Sequence, residues 1–238
     1  MSSWILAGVS EALARLVDTV APRRCAGCDE AGPHVLCEVC VELALALPLP
    51  PPRPAAYGVC RAALPLAPPA RGAIHAAKYG GRRPAIRVLA TLAAERLAPD
   101  LLAAGPPEAV VAVPLGARRR RLRGFNQAEV AAAGLCLALR LPPPRAGLRR
   151  VRETPAQVGL GEAERLDNLA AAFRWEGGRL GGGTMWLVDD VVTTGATFAA
   201  AAYALQQAGA GRIEAVAMAS CARWGGRESA RTGQLGML

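Results

Sequence analysis

Lysine is almost absent from this chain: of 28 basic residues, set against 19 acidic ones, only Lys78 is not an arginine. Aromatic residues are also scarce, at 4%. That scarcity disfavours an aromatic-rich sandwich or a sheet that reads nucleic acid by stacking its bases. There are two histidines, His34 and His75, and neither belongs to a credible Ser-His-Asp or Cys-His arrangement. No run reaches the ~18 consecutive apolar residues of a membrane span. The N-terminal stretch lacks the basic region and small-residue cleavage site of a signal peptide. Instead Ile5, Val9, Leu13, Leu16, Val17 and Val20 fall at helical spacing, which predicts a packed amphipathic helix in a cytoplasmic protein.

What is present is a chain of 238 residues with 52% hydrophobic content. That is enough for one main body with a small addition, at roughly 100 to 200 residues per domain. Much of the apolar share is alanine, which suits close-packed helices over parallel strands. The net charge of +9 has two readings. It reflects a composition biased toward arginine and alanine, or it marks an anionic partner such as a phosphorylated small molecule or a nucleic-acid backbone.

Four of the seven cysteines form the cluster Cys25-x2-Cys28-x8-Cys37-x2-Cys40. Without a secretory signal, this spacing reads as a metal site before it reads as disulfides. Each C-x2-C pair turns two sulfurs inward, so the four thiolates predict one tetrahedral Zn²⁺ of structural type, with no coordination position left for an activated water. His34 is a competing ligand within the loop, but four cysteines already suffice. Cys60, Cys136 and Cys221 lie in apolar surroundings and read as small hydrophobes.

A short helix over 38–47 leads into Pro48-Leu-Pro-Pro-Pro-Arg-Pro54. The proline-rich stretch predicts a semi-rigid spacer and a boundary between residues 1–54 and 55–238; an SH3-type ligand is the weaker alternative. Beyond it, apolar runs at 59–66, 109–113, 172–175, 185–188 and 213–219 predict strands. Helical patterns at 71–79, 87–97, 127–139 and 196–207 alternate with them. Buried strands alternating with helices predict a parallel α/β sheet.

The most informative stretch is Met185-Trp-Leu-Val-Asp-Asp-Val-Val-Thr-Thr-Gly-Ala-Thr197. An apolar strand ends in Asp189 and Asp190, and Val191, Val192, Thr193, Thr194, Gly195, Ala196 and Thr197 lead into a helix. Open α/β sheets bind ligands beyond the carboxyl ends of their strands, where loop amides and a helix start face an anion. The loop is therefore a phosphate cradle. The carboxylates repel phosphate but accept from ribose hydroxyls, and they sense Mg²⁺ through water.

This stretch resembles the phosphoribosyl pyrophosphate motif of type I phosphoribosyltransferases. Further residues make the chain similar to the ComF family (competence protein F and GntX-like phosphoribosyltransferases): the cysteine cluster, Ala77-Lys-Tyr-Gly80, Val113-Pro-Leu with arginines at 118–121, Arg123-Gly-Phe-Asn-Gln-Ala128, Arg150-Val-Arg-x-Thr-x-x-Gln157 and Glu164-Arg-Leu-x-Asn168. Many members carry further cysteine pairs, whereas Cys60 stands alone here, so one zinc is expected.

The resemblance implies a type I phosphoribosyltransferase fold with a small N-terminal zinc module, a hood at about 55–108 and a core at about 109–222. Asp189 and Asp190 would be the catalytic pair, and residues 189–197 would bind phosphoribosyl pyrophosphate with Mg²⁺. Pyrophosphate would fall to Arg118, Arg119, Arg121 and Lys78. Residues 149–157, with Arg150, Arg152, Thr154 and Gln157, resemble a loop that closes over the ligand. Phe125, Asn126 and Gln127 read as a packing anchor and helix start, with Asn126 as N-cap. The acceptor is not legible. The rival implication is a non-catalytic adaptor that holds single-stranded DNA or a helicase partner during natural transformation.

Overall fold

The structure is a computed structural model and describes residues 23–103, 105–151 and 172–221. Its centre is a five-stranded sheet of order β1-β2-β7-β6-β3. The strands are β1 (Arg53–Ala55), β2 (Gly58–Pro65), β3 (Ala109–Ala112), β6 (Thr184–Val192) and β7 (Arg212–Ser220). β2, β7, β6 and β3 run parallel, and β1 lies antiparallel on the β2 edge. β1 begins within the proline-rich spacer. Pro54 is tolerated there because an edge strand need not donate from every residue.

Helices cover both faces, as a parallel sheet requires. Trp186, Val188, Val110, Val216 and Met218 face α2 (Ala70–Gly80), α3 (Arg83–Leu102) and α5 (Gln127–Ala138). Met185, Leu187, Ile213, Ala215 and Ala217 face α6 (Ala196–Gln207) and a small ribbon of β4 (Leu148–Arg150) with β5 (Phe173–Trp175). The alternation at 185–188 puts successive residues into opposite cores, hence the unbroken apolar run.

Several elements differ from the sequence expectation. α3 starts earlier because Pro84, in its first turn, has no amide that the helix needs. The arginine run forms a seven-residue helix, α4 (Ala117–Arg123), which Gly124 ends at φ 71° with its N–H on Arg120 O. β6 continues through Val192 because β7 pairs alongside, so Asp189 and Asp190 belong to the strand itself. The expected N-terminal helix, Arg152, Thr154, Gln157 and the stretch 164–168 lie outside the described residues.

The cysteine-bearing segment packs on this body. α1 (Glu38–Ala46) follows Cys37, and Cys25, Ala26, Leu36, Cys40 and Ala44 join the core beneath α2 and α3. Arg96 of α3 donates to the carbonyls of Ala44, Leu45 and Leu47 at 2.7–3.0 Å, which satisfies acceptors that the end of α1 leaves open. Among the described residues no helix is long and apolar enough to cross a membrane.

Candidate functional site

The carboxyl ends of β6 and β3 open into one cleft of about 270 Å³. Its acidic side is Asp189 and Asp190, joined by Thr193 and Thr197; Lys78, Arg119, Arg123 and Arg150 supply the basic side. Lys78, near the end of α2, places Nζ 2.9 Å from Asp190 Oδ2. Asp190 is buried at 8% exposure, so that ammonium is what permits its charge.

Asp189 differs from its neighbour. Its Oδ1 accepts the Asp190 N–H at 2.8 Å. Burial first and the adjacent Asp190 charge second push its carboxyl up to about 8, against the pull of that amide, Lys78 and Arg119. Burial and the neighbouring charge thus favour a proton on Asp189 near neutrality, while Lys78 stands against Asp190.

The loop after β6 turns at Gly195 with φ 86°, a conformation in which a side chain would be strained, and α6 starts at once. Thr194 Oγ1 accepts from the Ala196 amide at 3.3 Å. Of the expected binding loop, Val191, Thr193 and Thr197 line the cleft, whereas Val192, Thr194, Gly195 and Ala196 are not among its lining residues.

The opposite wall rests on Asn126. Its Oδ1 accepts from the Ala128 amide at 3.1 Å and its Nδ2 donates to Val113 O at 2.9 Å. One side chain therefore caps α5, as expected, and ties it to the end of β3. Phe125 is buried with the Arg83 guanidinium 4.7 Å from its ring centre. Of the arginines expected at pyrophosphate, Arg119 lines the cleft, while Arg118 and Arg121 are not among its lining residues. Arg123 lines it instead, one helical turn beyond Arg119. Arg120 turns to Glu129 at 2.6 Å. Gln127, expected with Phe125 and Asn126 to serve as packing anchor and helix start, opens α5 and also lines the cleft, a role for which a buried amide leaves no spacing signal.

The four cysteines converge. Cys25 and Cys40 have sulfurs 3.6 Å apart, Cys28 and Cys37 3.8 Å apart, and all four lie within 4.8 Å of one another. A tetrahedron with Zn–S near 2.3 Å has edges of about 3.8 Å, so the donor set fits one such ion. The Gly27 and Cys37 amides each donate to Cys25 Sγ at 3.3 Å, bonds that suit a thiolate. Gly27 is required because a Cβ there would come within 2.8 Å of Cys40 Sγ. His34 is not part of the cluster. Cys60 and Cys136 are buried, and burial pushes their thiols up to about 12 and about 11, as for packing residues.

These features define a class: an α/β protein with an acidic pair at a strand's carboxyl edge, facing a basic wall, and a four-cysteine module on the same core. No family model matches the chain. It is, however, 31% identical over 216 residues to the DNA utilization protein YhgH of Escherichia coli K12, covering 90% of this chain and 89% of that protein. The protein of the same name in Salmonella typhimurium is 35% identical over 149 residues, 62% of this chain and 65% of its own. Competence protein F of Haemophilus influenzae is 34% identical over 110 residues, 45% and 48% of the two chains. The chain belongs to the ComF family.

Proposed function

We propose that the cleft binds phosphoribosyl pyrophosphate with Mg²⁺, and that the chain has the type I phosphoribosyltransferase fold. The observation that supports this reading best is the meeting of Asp189 and Asp190, Thr193 and Thr197, and the Lys78, Arg119 and Arg123 wall around one cleft. Ribose hydroxyls donate to carboxylates, a 5-phosphate accepts from the loop's amides and hydroxyls, and pyrophosphate accepts from guanidinium groups. Each part of the ligand then has a wall of opposite hydrogen-bonding character. Mg²⁺ would arrive on the pyrophosphate, with the carboxylates touching its water shell.

In transfer, the bond from C1 to the pyrophosphate oxygen breaks, an acceptor atom bonds to C1, and the acceptor's proton passes to solvent. The protein's part is to position the ligand and to hold the charge leaving with pyrophosphate. The four-cysteine segment within 1–54 holds one structural zinc, and residues 55–238 form the transferase domain, in the cytoplasm.

The names of the relatives support a role in DNA uptake or use. A second reading follows from them and from a groove of about 490 Å³ beside the cysteine module, where Arg23, Arg24, His34 and Arg82 gather. There the protein is an adaptor for single-stranded DNA or a competence helicase.

Calorimetry with phosphoribosyl pyrophosphate and Mg²⁺ tests the first reading: Asp189→Asn with Asp190→Asn should abolish binding while the fold persists. Equal affinity in wild type and double variant would remove the assignment. Tight single-strand binding indifferent to phosphoribosyl pyrophosphate would favour the adaptor.

A further inference from the structure

Gln127 opens α5 and is 2% exposed. Arg123, one turn earlier, donates from Nη1 to its Oε1 at 3.1 Å, and this contact fixes which end of the carboxamide is oxygen. The other end, Nε2, is buried and has no hydrogen-bond partner among the described residues. A buried donor left unsatisfied is destabilising, and folded proteins rarely keep one without a use. Gln127 lines the cleft beside Arg119, Arg123 and Lys78, so the acceptor that Nε2 lacks is one that a ligand brings. On a wall with three cationic groups, that acceptor is an anionic oxygen.

We infer that Gln127 is a binding residue for the pyrophosphate end of the ligand, donating from Nε2 to a phosphate oxygen while its Oε1 holds Arg123 in place. The inference rests on the phosphoribosyl pyrophosphate reading above. A neutral donor has a distinct use here, because it adds a directed bond without the desolvation that a further cation would require. Asn126 makes the placement rigid, since it anchors the first turn of α5 to Val113 on one side and to Ala128 on the other.

The test uses the full chain with inorganic pyrophosphate, ribose 5-phosphate and phosphoribosyl pyrophosphate as separate calorimetric probes, each with Mg²⁺. Gln127→Met removes both ends of the amide at similar volume without adding charge, and is the decisive variant; Gln127→Glu keeps the acceptor for Arg123 but replaces the donor with a carboxylate oxygen that also repels an anion. Both should weaken pyrophosphate and phosphoribosyl pyrophosphate about tenfold or more, as expected for loss of a hydrogen bond to a charged group, and leave ribose 5-phosphate unchanged. The melting temperature of ligand-free Gln127→Met should not fall, because an unsatisfied donor has gone; a purely structural residue would lower it. Wild-type pyrophosphate affinity in Gln127→Met, whatever its melting temperature, or in Gln127→Glu, overturns the inference and leaves the cleft reading standing. If the wild type binds pyrophosphate and loses it in both variants, but never binds phosphoribosyl pyrophosphate, the inference holds and the substrate reading falls. A wild type that binds none of the probes overturns both.

Discussion

Lys78 Nζ and Asp190 Oδ2 stand 2.9 Å apart, joining the end of α2 to the end of β6 across the mouth of the cleft. The pair is asymmetric. A lysine stem can swing its ammonium to water, whereas the Asp190 carboxylate is fixed in a strand. Lys78→Met should therefore destabilise the protein by about 3 kcal/mol, the lower end for breaking a buried pair by removing one partner. Asp190→Asn should cost clearly less. Urea unfolding of the two variants checks the order, and equal losses would mean that Lys78 is itself trapped.

The second prediction concerns pH. Asp189 has its carboxyl raised to about 8 in the folded chain, mainly by burial. A group raised on folding contributes stability that is complete below its unfolded value, near 3.8, and is lost as pH climbs through its folded value. The wild type should lose stability between pH 5 and 8, and Asp189→Asn should remove most of that slope. On the proposed reading, ribose hydroxyls that donate to Asp189 need it ionised, so binding should release a proton. Affinity for phosphoribosyl pyrophosphate should rise with pH up to about 8 and then level off. Calorimetry in buffers of different ionisation enthalpy reads the released proton directly.

Helix phase selects the arginines. Arg119 and Arg123 are four residues apart and share the face of α4 that borders the cleft. Arg119→Ala and Arg123→Ala should each weaken phosphoribosyl pyrophosphate about tenfold, in line with a hydrogen bond to a charged group, while Arg121→Ala should have little effect. If the run instead follows a nucleic-acid backbone, Arg121→Ala lowers the salt slope of single-strand binding by about 0.7, the value per phosphate contact.

The cysteine module and the cleft share α2. A Cβ on Gly72 would meet Gly27 O at 2.5 Å and Ala26 O at 3.0 Å, both backbone atoms of the first knuckle. Gly72→Ala must push that knuckle or α2 aside, at about 1–3 kcal/mol for overpacking. It should speed zinc loss to a chelator and lower the melting temperature. The wild type should carry one zinc per chain, and Cys37→Ser should reduce that content. Zinc retention in Gly72→Ala at the wild-type rate would show that the contact is slack.

Much of this arrangement was legible beforehand where local chemistry decides it. α6 begins and ends as read, because Gly195 at its start and Gly209 beyond its end, at φ 100°, are glycine-demanding turns. The Asn126 cap and the cysteine spacing were equally local. What escaped depends on partners distant in sequence. β4 exists only because β5 pairs with it, placing Leu148 opposite Trp175. β6 outlasts its apolar run because β7 continues alongside. Which arginines face the cleft depends on the phase of α4, and a run of like residues carries no phase. Gln127 escaped for a related reason: its importance lies in a bond it does not make.

Glu108 supplies the last prediction, at the opposite end of β3 from the cleft. Its carboxylate accepts the Gly181 amide at 2.8 Å and the Gly183 amide at 2.9 Å, with Arg145 Nη1 at 3.9 Å. The glycine-rich turn before β6 is thus tied to the residue preceding β3. A Cβ on Gly183 would come within 2.9 Å of the same carboxylate, so the turn must be bare there. The two amides, ahead of Arg145, hold the Glu108 carboxyl below its usual 4.5. A group depressed on folding contributes stability above its unfolded value and loses it as pH falls. Glu108→Gln leaves one acceptor for two amides, so it should lower stability by about 1 kcal/mol at neutral pH after allowing for solvent screening. The difference from wild type should shrink below pH 4.5, where the wild-type carboxyl also gains a proton. Melting curves of both proteins from pH 3 to 7 decide it. A constant gap across that range would mean that the variant acts through shape, and that the charge on Glu108 contributes nothing to holding the turn.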